Sequence, residues 1–350
     1  MAGPLKIGVV DQSPVRTGGT GAGAVRETLE LARRCEALGY SRYWLAEHHS
    51  TNSFTGAAPE VLLPMVAAAT HQMRVGTGGV LLTHYSPFKV AEQFRMLETL
   101  FPGRIDLGVG RAPGGDMRTV QALQYGRGAL PIEAFPQQVE DLAGWLGNTF
   151  DRSAHPWGRV RAMPRGDSLP ELWLLGSGGD SGYIAAEHGA SFSFAQFISG
   201  IDAAPFIRSY RERFRPSAQL AAPRASVAVS VICAETAGEA RRLASGIELW
   251  RRRIMRGWDR GIPNPDEALD ELEPGWEPPP PGTDGARLVT GTPDVVRAEL
   301  LRIAGHCGVD EIMAVTVTHE FAARVRSYEL LAEVMELEPR ADAASSGPGW

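Results

Sequence analysis

An apolar run, Trp44-Leu45-Ala46, ends abruptly in a carboxylate and two imidazoles, Glu47, His48 and His49. A polar triplet closing a strand-like run belongs at the mouth of a site, and three arrangements suit it. A zinc site is one. Adjacent strand residues point to opposite faces, however, so at most two of the three could share a ligand, and no Cys/His spacing elsewhere completes the set. A general base is the second and better reading, because an imidazole titrates near neutral pH and Glu47 could orient or polarise His48. The third is a hydrogen-bond network at a rim, with no chemistry at all.

Two further segments suit an anion and a flat ring. Gly176-Ser177-Gly178-Gly179-Asp180-Ser181 precedes a short helical pattern. Glycines let backbone N–H groups approach a phosphate, the helix start adds donors and partial positive charge, and Ser177 or Ser181 can add hydroxyls. Arg111 closes another strand-like run and could pair with the same phosphate through two donors. Capping and tight turning explain the loop equally well, and Arg111 could be a structural ion-pair residue. Thr77-Gly78-Gly79-Val80 places two glycines inside an apolar strand, which weakens it unless something approaches the backbone closely. An aromatic ring lying on the strand is one reason; a β-bulge at a rim is the other.

These residues need elements to hold them. Strand candidates are Leu5–Asp11, Ser41–His48, Arg74–Leu82, Arg104–Gly110, Glu171–Ser177, Ser191–Gln196, Ala225–Cys233 and Val309–Thr318. Helical patterns lie between them: Ala24–Leu38, Pro59–Thr70, Pro87–Leu100, Phe135–Leu146, Gly182–His188, Ala204–Phe214, Thr236–Arg256 with Pro293–Ile303, and Phe321–Leu337. Ser86-Pro87 and Thr292-Pro293 read as helix starts and Gly39 as a stop. Eight strands alternating with eight helical regions predict an α/β fold, a (β/α)8 TIM barrel. An open doubly wound sheet would want a dinucleotide-type glycine motif after the first strand, and Asp11-Gln12-Ser13-Pro14 is not one. In a barrel the strand ends converge, here Asp11-Gln12-Ser13, Glu47-His48-His49, Thr83-His84-Tyr85, Arg111, Gly176–Gly179, Gln196, Cys233 and His319. The strand beginnings read as poorer in polar groups, so the site is expected at the C-terminal face.

Residues 1–339 are expected to form one barrel domain. Two insertions, Pro113–Pro131 and the acidic, proline-rich Trp258–Arg287, exceed ordinary loop lengths and are expected on βα connections, as lids or surface inserts. The tail Arg340–Trp350 is expected to be disordered.

A net charge of −6 without a basic stripe argues against nucleic-acid binding, and two lysines against 33 arginines reflect a GC-rich composition. Cys35, Cys233 and Cys307 are too far apart for a disulfide framework or a metal cluster. No signal peptide or spanning run is visible, so a cytoplasmic location is expected, without membrane contact.

The order and spacing of several segments resemble the bacterial luciferase-like flavin-dependent monooxygenases along most of the chain. They are Asp11–Pro14, Leu38-Gly39-Tyr40 with Trp44–His49, Arg74–Val80, Pro87 with Ala91-Glu92, and Pro102–Arg111. Leu174–Ser177, Gly291-Thr292-Pro293 and Gly308-Val309-Asp310 follow. Arg111–Asp116 and Asp11–Pro14 look like a non-luminescent, single-chain-type subgroup. The resemblance implies a barrel binding FMN at its C-terminal mouth, reduced FMN reacting with O2 to a C4a-peroxyflavin, and oxygenation of a small substrate. It implies Gly78 and Gly79 under the ring, often with a non-prolyl cis peptide in the family. Arg111, Ser177, Gly178 and Ser181 would hold the phosphate, with Glu47 near the flavin and His48 the candidate base. A separate NAD(P)H-dependent flavin reductase and a homodimer are expected, and the GC-rich bias suits a role in antibiotic biosynthesis. Gly110 stands where light-emitting relatives carry a reactive cysteine, so luminescence is not expected, and room remains beside the ring for a larger aromatic substrate. Two alternatives stay open: an F420-dependent hydride-transfer enzyme and a non-catalytic flavin-binding protein.

Overall fold

Strands β1 (Lys6–Asp11), β2 (Arg42–Leu45), β3 (Arg74–Leu81), β4 (Ile105–Gly110), β5 (Glu171–Gly176) and β6 (Ser191–Ala195) pair in sequence order, all parallel. β7 (Ala225–Cys233) pairs with β6, and β9 (Glu311–Val315) pairs with both β7 and β1, which closes an eight-stranded ring. This is a computed structural model, and it describes residues 3–125, 132–151 and 153–340. Helices flank the ring, so the fold is the expected (β/α)8 barrel. Predicted and observed elements agree to within a few residues. Ser86 and Thr292 cap helices whose first residues are Pro87 and Pro293, and the first helix, Gly21–Ala37, stops before Gly39 at φ 91°.

Alternation along the strands sorts two apolar layers. Val9, Tyr43 and Leu45 pack outward with the helices, while Val10, Trp44 and Ala46 face the interior with Trp173, Ala228 and Met313. Trp44 on β2 and Trp173 on β5 are not on paired strands, yet their rings meet at 5.1 Å, so they touch across the lumen.

The starts of the strands are not poor in polar groups. Arg42 lies 2.7 Å from Asp106 and 2.9 Å from Glu311, Arg74 lies 2.7 Å from Asp106, and Trp44 Nε1 donates to Asp106 at 2.8 Å. The expectation fails because the partners lie far apart in sequence and only ring closure brings them together.

A ninth strand, β8 (Leu288–Gly291), pairs with the C-terminal half of β7 outside the ring. Four residues between a proline-rich stretch and Pro293 show no periodicity, which hid it. The preceding stretch contains a helix, Pro265–Glu271, N-capped by Asn264. Its beginning lies against the C-terminal ends of the strands. Asp259 accepts from Asn52 N–H at 2.6 Å, Ile262 exchanges backbone bonds with Val15 and Thr17, and His319 Nδ1 lies 3.0 Å from Ile262 O. Within the other insertion Met117–Gln124 is helical, capped by Asp116, while residues 126–131 and the tail 341–350 lie outside the described residues. Among the described residues no helix is long and apolar enough to cross a membrane.

Candidate active site

A cavity of about 500 Å³ opens at the C-terminal ends of the strands. Glu47, His48, Gly78, Gly79, Arg111, Ser177, Gly178 and Ser181, all eight residues singled out above, line it. A larger groove of about 800 Å³ lies around the starts of β5 and β6, near Glu171 and Ser191, and none of the eight reaches it. Among the described residues no three His, Cys, Asp or Glu side chains converge as a metal site.

Gly78-Gly79 is a cis peptide, and the register of β3 against β4 shifts between Thr77 and Val80. The bulge and the close approach therefore coexist. A Cβ at Gly79 would stand 2.7 Å from Gly108 O, and one at Gly78 would stand 3.0 Å from Trp44 Cβ. Neighbouring chain occupies the space behind the two glycines, and their open side faces the cavity. Gly110 has only Leu175 O near its missing Cβ, at 3.8 Å, so room exists there as expected.

The loop after β5 leads into helix Gly179–Glu187, whose N-cap, Gly178, supplies no side-chain acceptor to the first turn. The orphan amides of that turn are available to an anion. A side chain at Gly178 would meet nothing within 4 Å, so the loop has an open cradle. Ser181 is buried beside it, and Arg111 reaches across from the end of β4, paired at 2.6 Å with Asp180.

Glu47 does not orient His48. Its Oε1 accepts from His49 Nε2 at 2.7 Å and Tyr85 OH at 2.6 Å, and its Oε2 accepts from Leu81 N–H at 2.9 Å. All three residues lie beyond the end of β2 at Leu45, and the chain there turns His49, not His48, onto the carboxylate. Burial, with Glu47 beside it, pushes the Tyr85 phenol up. His48 instead meets the Gln12 amide at 3.4 Å, and its Nδ1 is buried without a partner among the described residues. Burial pushes its imidazole down to about 4, and His49 adds to the shift. His48 is therefore neutral at pH 7 and only a weak base in this arrangement.

Sequence reading missed the apolar wall, Val10, Leu81, Leu175, Phe197, Ile198 and Ala228. These residues look like ordinary core, and no local signal separates a lumen residue from a cavity residue. Tyr85 and Gln12 appeared among the strand ends without a role. Asp11, also a strand end, turns out structural: it is fully buried and paired with Arg324 at 2.6 Å.

A closed parallel barrel with a cavity at the C-terminal ends of its strands has the architecture of the barrel enzymes. The chain belongs to the luciferase-like monooxygenase family, whose model matches residues 5–311. An N-acetyl-S-alkylcysteine monooxygenase of Bacillus subtilis is 33% identical over 333 residues, 95% of this chain and 98% of that protein. The crystal structure of apo-MsnO8 superposes with a TM-score of 0.88 at 39% identity, covering 96% of this chain and 100% of that one. More distant structures, including an FMN-bound Baeyer-Villiger monooxygenase and an F420-dependent alcohol dehydrogenase, share the fold alone.

Proposed function

We propose that this chain is a flavin-dependent monooxygenase that uses reduced FMN and O2 to oxygenate a small organic substrate. One observation carries the reading: the Gly78-Gly79 floor and the Arg111, Ser177, Gly178, Ser181 cradle converge on one cavity. The donor set fits a planar ring with a phosphate tail. Gly78 and Gly79 would lie under the ring. The open amides after Gly178, the two serine hydroxyls and Arg111 would take the phosphate. Asp180 is exposed, so exchanging its pairing with Arg111 for a dianion costs little.

Bound in reduced form, FMN supplies the electrons that activate O2. The protein's residues do the rest. Glu47 ties the ends of β2 and β3 together through Leu81 N–H and Tyr85, which fixes the floor beside the ring. Leu81, Leu175 and Phe197 line the cavity with apolar side chains, which would keep water from a bound ring. His48, neutral at pH 7, would present a hydrogen-bonding ring on the cavity wall.

Among the described residues the cavity offers one anion-binding loop. That suits a monophosphate, with reduced FMN delivered by a separate NAD(P)H-dependent flavin reductase. A homodimer belongs to the same reading: Val61 and Met65 on helix Pro59–Ala68, and Met96 and Leu100 on helix Pro87–Leu100, expose apolar i, i+4 pairs.

The test is to load FMN, reduce it without oxygen, and mix rapidly with O2. A transient absorbing species distinct from oxidised and reduced flavin is expected. Single-step return to oxidised flavin overturns the oxygenase reading and leaves a passive binder. Tighter binding of F420 than of FMN moves the assignment to hydride transfer.

A further inference from the structure

His48 and His49 are adjacent imidazoles with opposite partners. His49 Nε2 has the Glu47 carboxylate at 2.7 Å, and His48 Nε2 has the Gln12 amide at 3.4 Å. The placement of Gln12 is built in. β1 ends at Asp11, whose Oδ1 accepts from Ser13 N–H at 2.7 Å, an Asx turn that carries Ser13 into the left-handed region at φ 50°. Thr28 Oγ donates to Ser13 Oγ at 2.8 Å, and Arg324 and the Tyr43 hydroxyl hold Asp11 from behind. Gln12 sits at the tip of this turn, buried and lining the cavity beside His48. The other side of the His48 ring lies against Phe54, centroids 4.8 Å apart.

We propose that Gln12 is the positioning residue of His48, and that an amide in that place, where His49 has a carboxylate, makes His48 an uncharged hydrogen-bonding group on the cavity wall. A carboxylate there would stabilise the imidazolium, whereas an amide offers hydrogen bonding without a countercharge. As placed, the amide N–H donates to His48 Nε2, which puts the ring proton on Nδ1. The charged neighbours give His48 no compensation. Glu47 is spent on His49, Tyr85 and Leu81 N–H, and Asp11, behind Gln12, is paired with Arg324. His49, next along the chain, adds to burial in disfavouring the charge. A neutral imidazole can hydrogen-bond a carbonyl or a developing oxyanion without trapping it as an ion pair, a use known for buried histidines in other barrels. That role rests on the flavin reading of the cavity; the hold of Gln12 on the ring does not.

The experiment follows the ring nitrogens of histidine by 15N NMR in the cofactor-free protein, with the His48 signal assigned from His48→Asn. In the wild type the ring should stay uncharged down to about pH 5, below the ordinary histidine range. Gln12→Glu should raise the His48 titration by about two units, and Gln12→Leu should leave the ring uncharged with its tautomers interchanging. An unmoved titration in Gln12→Glu, or a wild-type ring titrating at the ordinary value, overturns the proposal. Should Gln12→Glu fail to fold, the wild-type titration and an unchanged tautomer pattern in Gln12→Leu still decide against it.

The second readout is the reoxidation rate of reduced FMN by O2 as a function of pH. A flat wild-type profile should become pH-dependent in Gln12→Glu, tracking the new His48 titration; flat profiles in both proteins remove the charge state of His48 from the mechanism. If FMN does not bind, the flavin reading falls while the titration still tests Gln12.

Discussion

The two ends of the barrel both bury polar groups, and they treat them in opposite ways. At the N-terminal ends of the strands Arg42, Arg74, Asp106, Glu171 and Glu311 satisfy one another, and Asp106 alone accepts from two guanidiniums and the Trp44 indole. At the C-terminal ends a cavity opens. There, among the described residues, Arg111 is paired only with an exposed aspartate, a helix start lacks a side-chain cap, and His48 Nδ1 has no partner. Buried charge by itself therefore does not mark a site in this molecule. Unmet hydrogen-bonding capacity beside open space does.

The strongest way to break this comparison is at the closed end. Asp106→Ala leaves the Arg42 guanidinium, which is buried, without its 2.7 Å partner. Removing one partner of a buried pair costs about 3–5 kcal/mol. Denaturant unfolding should show a loss of that order, or the variant should not accumulate folded at all. A loss below about 1 kcal/mol would mean that water or Glu311 compensates Arg42, and the closed end would not be the stability element argued here.

Legibility in the sequence follows the same division. The strand ends at Asp11, Glu47, Gly110 and Gly176 were readable because apolar runs stop there. Arg111 and Gly176–Ser181 could be paired because chemistry, not contact, suggested a phosphate. The charged cluster at the other end was unreadable, since Arg42 and Asp106 are 64 residues apart, and Arg42 and Glu311 are 269 apart. Only closure of the ring makes them neighbours. The Glu47 partner is not legible, because β2 ends at Leu45 and strand alternation does not reach the triplet, where the carboxylate goes to His49. β8 left too short a trace to read, and the apolar cavity wall looks like any other core.

At the open end the largest effect belongs to Arg111. Arg111→Ala should weaken FMN relative to riboflavin by the worth of a charge-assisted pair, about 1.5–3 kcal/mol, or roughly 10- to 150-fold in Kd. Unfolding should hardly change, because Arg111 pairs with exposed Asp180. Titration calorimetry or flavin fluorescence measures both ligands. Equal losses for FMN and riboflavin would place the phosphate elsewhere.

His48 gives a smaller effect with a defined sign. Its folded value, about 4, lies below the ordinary 6.5, so the unfolded chain binds a proton first as pH falls. Stability from this group is complete above the ordinary value and drains away as pH drops towards about 4, by about 2 kcal/mol at pH 5. Melting curves of wild type and His48→Asn should coincide in their pH dependence above neutrality and diverge through that window, the variant losing less. Parallel curves would mean that His48 is solvated and not the buried neutral imidazole described.

The smallest effect is the sharpest discriminator of the cavity. Gly178 and Gly79 both line it, but a Cβ at Gly79 would meet Gly108 O at 2.7 Å, whereas one at Gly178 would meet nothing within 4 Å. The φ of Gly178 is −152°, extended backbone that any residue adopts. Gly178→Ala should therefore change unfolding free energy by no more than about 0.5 kcal/mol. The added methyl occupies the cradle, however, and should weaken FMN several-fold while leaving riboflavin binding unaltered. The same substitution at Gly79 should cost stability first. Wild-type FMN affinity in Gly178→Ala would show that the open space beside this glycine is not where the phosphate rests.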